Sequence, residues 1–294
     1  MNCMKSYFGM ASFVILAVAS GATQATTFQA GYAYTGPGGP QGYVTANTTG
    51  TSEFISSQTM SICGGGYYRT CEGSATSSPL EFSTFSRNSG IGYMSTTAGF
   101  VDTWTNTSGH TQSYTFDFHL ANADLYIRDT YGENNGRPMD LQPETGFSAR
   151  ILVNGVSVWD TSRSLLLDGN GPHLFTSGAD IGSGLPGNLP FFSYSYDYSG
   201  SVNLGSFDAG SSFSIEYELS SYANNRFDPG NCGWECLEVS ARIGDPFALN
   251  AASAIHEVSA VPEPETYALF LTGLAAMGAV IRRKNKKTHT SNHC

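Results

Sequence analysis

Apolar and polar residues alternate along most of the chain between residues 26 and 247. The clearest stretches carry an apolar side chain at every second position, over residues 114–120, 213–219 and 237–243. A period of two places successive side chains on opposite faces of a β-strand, so each stretch predicts a strand with one buried face and one solvated face. Further strands are predicted near residues 28–34, 54–62, 80–87, 100–104 and 125–128.

The strongest hairpin signal lies between Ala149 and Trp159, where two apolar runs flank Asn154-Gly155. Asn-Gly supplies the positive φ angles that a type I′ turn requires. Residues 160–168 are the one stretch between the termini in which a turn or two of helix is expected, and Gly169 to Pro190 is rich in loop residues. Many short strands separated by Gly, Ser, Asn and Pro predict an all-β domain, an antiparallel β-sandwich or jelly-roll-like fold, over residues 26–247.

The N-terminus has the layout of an export signal. Lys5 precedes an apolar run from Phe8 to Ala19, and small residues follow as far as Ala25. This order predicts a secretory signal peptide over residues 1–25, with an uncleaved N-terminal anchor as the alternative. The apolar run is shorter than the roughly 20 residues that a membrane-spanning helix needs.

The C-terminus follows a different plan. A linker rich in Ala and Ser is predicted over residues 248–260, and Pro262, Glu263 and Pro264 follow it. Each proline biases the preceding residue toward an extended backbone, which suits a segment that an enzyme must grip. A transmembrane helix is predicted over residues 266–281, followed by the cytoplasmic basic anchor and a polar coda at 288–294. The anchor consists of Arg282, Arg283 and Lys284.

Residues 261–287, with the sequence VPEPETYALFLTGLAAMGAVIRRKNKK, resemble the PEP-CTERM sorting signal of Gram-negative bacteria. The resemblance implies recognition by exosortase, a membrane-embedded cysteine transpeptidase-like enzyme, and removal of the tail. The family is linked to exopolysaccharide production. The same tail is also classified as an ice-binding-protein C-terminal domain, but no regular Thr-x-Thr ladder accompanies it here. A longer polar coda is the departure from the pattern.

The charge of the body excludes one large class of partner. Between residues 26 and 260 there are 22 acidic residues against eight arginines and no lysine. Such a surface repels phosphate backbones, so nucleic-acid binding is not expected. The acidic surface is compatible with solubility or with divalent cations. Asp168 and Asn170 form a weak calcium candidate, for which a plain turn is the favoured explanation.

Four cysteines remain once the two terminal segments are set aside: Cys63, Cys71, Cys232 and Cys236. An even number in an exported domain predicts two disulfides, and the local pairs Cys63–Cys71 and Cys232–Cys236 are favoured over crossed ones. A zinc site is the alternative, although the CGWEC spacing and the lack of a His pair argue against it.

Catalytic motifs are scarce. There is no Gly-x-Ser-x-Gly or His-Glu-x-x-His sequence, and Glu216 and Glu218 are expected on the wet face of a strand. A row of tyrosines, Tyr194, Tyr196 and Tyr198, would share one strand face, either as a carbohydrate platform or as part of the core. The sequence therefore predicts a non-enzymatic surface or matrix protein without a cofactor. Its expected partners are the Sec export machinery, exosortase and exopolysaccharide; a secreted carbohydrate-active hydrolase is the alternative.

Overall fold

The computed structural model describes residues 27–35, 48–50, 55–62, 70–77, 82–129, 142–186, 191–225, 237–245, 255–258 and 269–277. Within these ranges the body consists of strands with the turns and loops that connect them, and residues 269–277 form a helix, α1. The strands are β1 (Thr27–Thr35), β2 (Thr48–Gly50), β3 (Ile55–Ile62), β4 (Thr70–Ser77), β5 (Phe82–Asn88), β6 (Gly92–Thr105), β7 (Gln112–Asp129), β8 (Glu144–Val153), β9 (Val156–Asp168), β10 (Gly171–Gly178), β11 (Leu185–Pro186), β12 (Phe191–Phe207), β13 (Ser212–Asn225), β14 (Leu237–Gly244) and β15 (Ile255–Val258).

The described strands form two sheets that pack face to face. Sheet A has the order β10-β9-β8-β13-β6-β1-β2, and sheet B has the order β11-β12-β7-β14-β5-β4-β3, with β15 beside β7. Neighbouring strands in these orders run antiparallel. The predicted all-β class and antiparallel sandwich are confirmed. The narrower jelly-roll description stays a prediction.

The core lies between the central strands of the two sheets. Phe100 and Tyr217 of sheet A meet Phe82 and Phe116 of sheet B, with ring centroids 5.1–6.4 Å apart. Tilted and edge-on ring pairs at such distances add to the stabilisation from apolar burial. The Tyr217 hydroxyl donates to Asp245 Oδ2 at 3.1 Å. Burial and the Asp245 carboxylate both raise the pKa of Tyr217 well above its usual value.

A small polar network also bridges the two sheets. The hydroxyls of Ser86 in β5, Thr96 in β6 and Ser221 in β13 lie within 2.8–3.2 Å of one another, and all three residues are buried. Ser86 Oγ also donates to the Ser221 carbonyl at 3.0 Å. Ser77 Oγ, in β4, donates to the Gly99 carbonyl at 2.9 Å. Since buried hydroxyls are costly without partners, this network ties one sheet to the other.

The predicted Asn154-Gly155 hairpin is confirmed. Both residues have positive φ, 50° and 78°, and Val153 pairs with Val156 across a two-residue loop. The helical turns expected at residues 160–168 are wrong, because alternate residues from Thr161 to Leu167 are buried and the segment belongs to β9. Period-two burial outweighed the local helix propensity of Leu165 and its neighbours. The loop-rich stretch after Gly169 contains strand β10, at the edge of sheet A.

Strand β7 contains a β-bulge at Asn122. The two steps from Tyr196 to Tyr198 in β12 lie opposite the three steps from Ala123 to Leu120 in β7. The pairing of β14 with β7 shifts by one residue at the same place. Asn122 has φ of 52°, a conformation that Asn tolerates better than most residues. β-Bulges often re-aim side chains beside functional sites, and here the side chain of Asn122 is exposed.

Part of the segment predicted as a linker forms a strand. Residues 255–258, which fall within the linker predicted at 248–260, form β15; Ile255 is buried and His256 Nε2 lies 3.3 Å from Asp117 Oδ2. The side chains of α1 are exposed. Among the described residues, no helix has the length and apolar character needed to cross a membrane. The span predicted at 266–281 extends past both ends of α1 into residues that are not described, and it stays a prediction.

Candidate ligand-binding surfaces of the sandwich

The tyrosine row of β12 faces the interior of the sandwich. Tyr196 is 4% exposed, and its ring makes an edge-on contact with Phe147 at 5.5 Å between centroids. The Arg163 guanidinium lies 6.0 Å from the same ring. Tyr194 and Tyr198 are partly buried and pack against the core, and Tyr198 stacks on Trp159.

This orientation corrects one sequence-based hypothesis. An open carbohydrate platform formed by Tyr194, Tyr196 and Tyr198 requires rings that face solvent, whereas the central ring is enclosed between the sheets. The residues that do face solvent on β12 are the intervening ones, among them Ser195 and Asp197. The three tyrosines share a face, as expected, and that face belongs to the core.

Two other tyrosines lie on the outer face of sheet A. Tyr93 of β6 and Tyr222 of β13 stack with their centroids 5.7 Å apart and their planes 23° apart. Gly146 of β8 is buried beneath the Tyr222 ring, since a Cβ added at this glycine would lie 2.7 Å from Tyr222 Cζ. The ring therefore lies along the sheet instead of projecting from it. We call Tyr93, Tyr222 and Gly146 the tyrosine plate.

A carboxylate borders the tyrosine plate. The Tyr222 hydroxyl donates to Glu144 Oε1 at 2.6 Å. Partial burial and this hydrogen bond raise the pKa of Tyr222, and partial burial also raises the pKa of Tyr93. Both phenols therefore stay protonated and act as donors over the whole physiological range. The plate combines flat aromatic surface, hydroxyl donors and a carboxylate acceptor.

The outer face of β13 continues away from the plate with polar side chains. Ser220 bonds Ser148 at 2.7 Å, and Glu218 forms an ion pair with Arg150 at 2.9 Å. Glu216 follows on the same face. Partial burial, followed by the neighbouring Glu218, raises the pKa of Glu216.

Sheet B carries a second outer aromatic pair. Tyr126 and Phe191 stack with centroids 5.9 Å apart. Here the Arg128 guanidinium lies over the Phe191 ring at 5.6 Å, in a cation–π arrangement. Because a protein side chain already occupies that ring face, this pair offers less aromatic surface to a ligand than the tyrosine plate does.

A groove of about 460 Å³, lined by both polar and apolar residues, lies beside the β7 bulge. Its lining includes Asn122 and Asp124 of β7, Ser195 and Asp197 of β12, and the loop from Ile181 to Leu185. We call it the bulge groove. Arg242 lies 2.7 Å from Asp124 Oδ2, and His119 is paired with Asp197. The sequence did not indicate this groove, because a bulge is what brings Asn122 to its edge.

The weak calcium candidate forms a hairpin turn. Asp168 pairs with Gly171 across a two-residue loop, and Asp168 Oδ1 accepts the Asn170 backbone N–H at 2.7 Å. That bond, and then His173, lower the pKa of Asp168. In the part of the chain that the structure describes, no three His, Cys, Asp or Glu side chains form a group suited to a metal ion. The local geometry is that of an ordinary Asx turn.

Comparison with known protein families identifies one segment of the chain. Residues 260–284 match the family model of the PEP-CTERM protein-sorting motif. The chain carries a PEP-CTERM sorting tail. The tail indicates an exported surface protein that is processed by exosortase, and the predicted resemblance is thereby confirmed. No curated protein sequence matches the chain.

The PEP-CTERM residues themselves, Pro262, Glu263 and Pro264, lie outside the described residues, as do Arg282, Arg283 and Lys284 of the basic anchor. The signal peptide at residues 1–25 and the coda at 288–294 also lie outside them and stay predictions.

Of the four cysteines in the disulfide prediction, only Cys71 lies among the described residues. Cys71 is buried and disulfide-bonded, and Cys63, Cys232 and Cys236 lie outside the described residues. The two local pairings therefore stay a prediction.

Proposed function

We propose that this chain is a non-enzymatic, exosortase-sorted surface protein whose sandwich retains extracellular polysaccharide on the tyrosine plate. In this proposal the Sec machinery exports the chain, the tail holds it in the inner membrane with the body in the periplasm, and exosortase processing releases it to the cell surface or matrix of a Gram-negative bacterium. The observation that carries the binding role is the pair of stacked tyrosines lying along a solvent-facing sheet.

The geometry of the plate suits a sugar ring. A pyranose presents a face of C–H groups, which packs on an aromatic face, and a rim of hydroxyls, which pair with phenols and carboxylates. Stacking contributes about 0.5–1.5 kcal/mol per aromatic pair beyond area burial. One contact of this size is weak, so useful retention depends on a polymer that engages several copies of the protein or several sites.

The charge of the same face selects the kind of polysaccharide. Glu144 borders the plate, and Glu216 and Glu218 lie farther along β13, where Arg150 is paired with Glu218. Anionic chains such as uronate polymers are repelled by this arrangement and by the acidic body as a whole. The proposed ligand is therefore a neutral polysaccharide.

The binding role is tested by affinity electrophoresis of the full-length chain through gels that contain dextran, hydroxyethylcellulose or alginate. A Tyr93→Ala/Tyr222→Ala variant should lose the retardation that the unsubstituted chain shows in a neutral gel. Tyr126→Ala is the matched control, because Tyr126 is also a stacked tyrosine on an outer sheet face. Unchanged retardation of the double variant, or equal loss in the control, contradicts the proposal.

A carbohydrate-active hydrolase is the second candidate, and one observation favours it. Glu216 has a raised pKa beside Glu218, which Arg150 holds as an ion pair. Carboxyl groups with separated pKa values are the acid and base of many glycosidases. Release of reducing sugar from a retained polysaccharide, abolished by Glu216→Gln, would establish this activity in place of simple binding.

The sorting step has its own test. Changing Pro262, Glu263 and Pro264 to Ala removes the extended segment that exosortase is proposed to grip. The variant should accumulate as a larger, membrane-held form on immunoblots of fractionated cells. Changing Thr288, His289 and Thr290 to Ala alters the same number of residues in the coda and should leave processing intact. Normal processing of the Pro-Glu-Pro variant would refute the assignment.

A further inference from the structure

We infer that the bulge groove is a second binding site, on the sheet opposite the tyrosine plate, and that it takes a single neutral sugar residue. The inference goes beyond the proposed function, because the groove shares no residue with the plate and would hold its ligand even if the plate held none. It rests on the construction of the two groove walls and on the partners of the groove carboxylates.

One wall is the loop from Ile181 to Leu185, which contacts with strand β9 and the core hold in place. The Ala179 carbonyl accepts hydrogen bonds from Thr161 Oγ1 at 2.9 Å and from the guanidinium of buried Arg163 at 3.2 Å. Ile181 is 4% exposed and belongs to the core. These contacts fix the loop before any ligand arrives, which reduces the ordering cost of binding.

Gly184 seats the same loop on Tyr196. It has φ of +68°, and a Cβ at this position would lie 2.8 Å from Tyr196 Cζ. Both the backbone conformation and the close approach require glycine. The inward tyrosine of β12 thus has a part in the groove after all, as the surface on which the loop rests.

The opposite wall is the bulge. Asn122, in the left-handed conformation, is exposed and presents an amide that both donates and accepts hydrogen bonds. Asp124 and Ser195 lie opposite each other on β7 and β12, and Asp197 follows with 80% of its side chain exposed. Without the extra residue in β7, this polar set would not converge at one edge.

The charges in the groove decide between possible ligands. The two carboxylates exclude an anionic ligand. Asp124 already forms an ion pair with Arg242, and Asp197 is already bonded to His119. Each carboxylate accepts up to about four hydrogen bonds, so acceptor positions remain free on both. Because each carboxylate already has a basic partner, neither needs a cationic ligand. A ligand rich in hydroxyl donors satisfies these acceptors better than an amine does.

The rest of the lining suits the C–H face of a sugar. Leu185 is 76% exposed at the end of the loop, and the volume of about 460 Å³ lies within the roughly 300–1,000 Å³ typical of small-molecule pockets. Apolar surface next to several hydroxyl and carboxylate groups is the combination that a pyranose needs. The groove has room for such a sugar residue.

The test is saturation-transfer NMR on the full-length chain in mild detergent, with glucose, galactose and mannose as probes and putrescine as the amine control. We expect at least one sugar to bind with a dissociation constant on the order of millimolar. Asp197→Asn should weaken it by about ten-fold, since a hydrogen bond to a charged group is worth about that factor. Asn122→Gly, which removes the neutral amide and keeps the left-handed backbone, should weaken it by a few-fold. Both side chains are exposed, so the melting temperature should change little.

Asp117→Asn is the matched control, because Asp117 also pairs with a histidine, His256, on the outer face of β7 but lies outside the groove. It should leave sugar binding unchanged, as should Tyr93→Ala/Tyr222→Ala. The inference is overturned if no sugar gives a signal at tens of millimolar, if putrescine binds in preference, or if the control and groove variants lose binding equally. Loss of sugar binding in the plate variant alone would assign the signal to the plate and also overturn the inference.

Discussion

The two tyrosine-bearing regions of the sandwich use one side-chain type for opposite purposes. On β12 the tyrosines lie at the alternate positions that face the core, and the Tyr196 ring contacts Phe147 and Arg163. On β13 the core-facing positions are held by Tyr217 and its alternate neighbours. Tyr222 lies on the opposite face of the strand, at the outer surface of the sheet. An aromatic residue that follows the apolar alternation is core, whereas one that breaks it is available for contact.

The largest expected effect separates the two regions by stability. Tyr196→Ala should lower the free energy of unfolding by about 3–5 kcal/mol, because it leaves a cavity under the loop at Gly184. Tyr196→Phe should cost little, since the Tyr196 hydroxyl is buried and has no hydrogen-bond partner among the residues that the structure describes. Urea denaturation measures both changes. A small loss for Tyr196→Ala would mean that the β12 row is not packed as core.

The next effect tests how Tyr222 lies on the sheet. Gly146→Ala places a Cβ where the Tyr222 ring now rests, and overpacking of this kind costs about 1–3 kcal/mol. Adding Tyr222→Ala removes the clash, so the double variant should recover most of the loss. A double-mutant cycle by thermal unfolding measures this coupling. Additive effects of the two substitutions would show that the ring is elsewhere.

The smallest effect concerns the carboxylates beyond the plate. Glu218→Gln should destabilise by no more than about 1 kcal/mol, because it removes a partly exposed ion pair with Arg150. Glu216→Gln should act in the opposite direction at neutral pH. The pKa of Glu216 is raised in the folded state, so its ionised form opposes folding.

The gain from Glu216→Gln should be present at pH 7 and should disappear below the ordinary Glu pKa of about 4.3, where the carboxyl is protonated in both the folded and the unfolded chain. Melting temperatures of the two variants between pH 4 and pH 8 measure the difference. A pH-independent effect of Glu216→Gln would show that its environment does not disfavour the charge.

Much of the fold was accessible from the sequence because alternation is a local property. The strands at residues 213–219 and 237–243 and the Asn154-Gly155 turn are predicted by period two and by one dipeptide. The candidate sites were less accessible. Tyr222 carried a readable signal, as an aromatic residue out of phase with its strand, whereas its neighbour Tyr93 is set by the register of β6 against β13.

The bulge groove had no comparable signal. It depends on one extra residue in β7 relative to both neighbouring strands, and nothing in the letters around Asn122 distinguishes a bulge from continuous strand. The loop wall depends on Arg163, which reads as a surface charge in sequence and is buried in the structure. Long-range pairing decides both features, and a single sequence does not encode it locally.

The hydroxyl network of Ser86, Thr96 and Ser221 has a mechanical consequence. Sliding one sheet past the other by a single residue, about 3.3 Å, would break together all the contacts that the Ser86 hydroxyl makes with Thr96 and Ser221, and a buried hydroxyl left without partners costs about 1–3 kcal/mol. The Thr96–Ser221 hydrogen bond lies within sheet A and would remain. An apolar interface alone resists such shear far less, because apolar contacts can be exchanged for similar ones. The network therefore opposes sliding of the two sheets, and a force applied to the outer face of one sheet is transmitted to the other sheet.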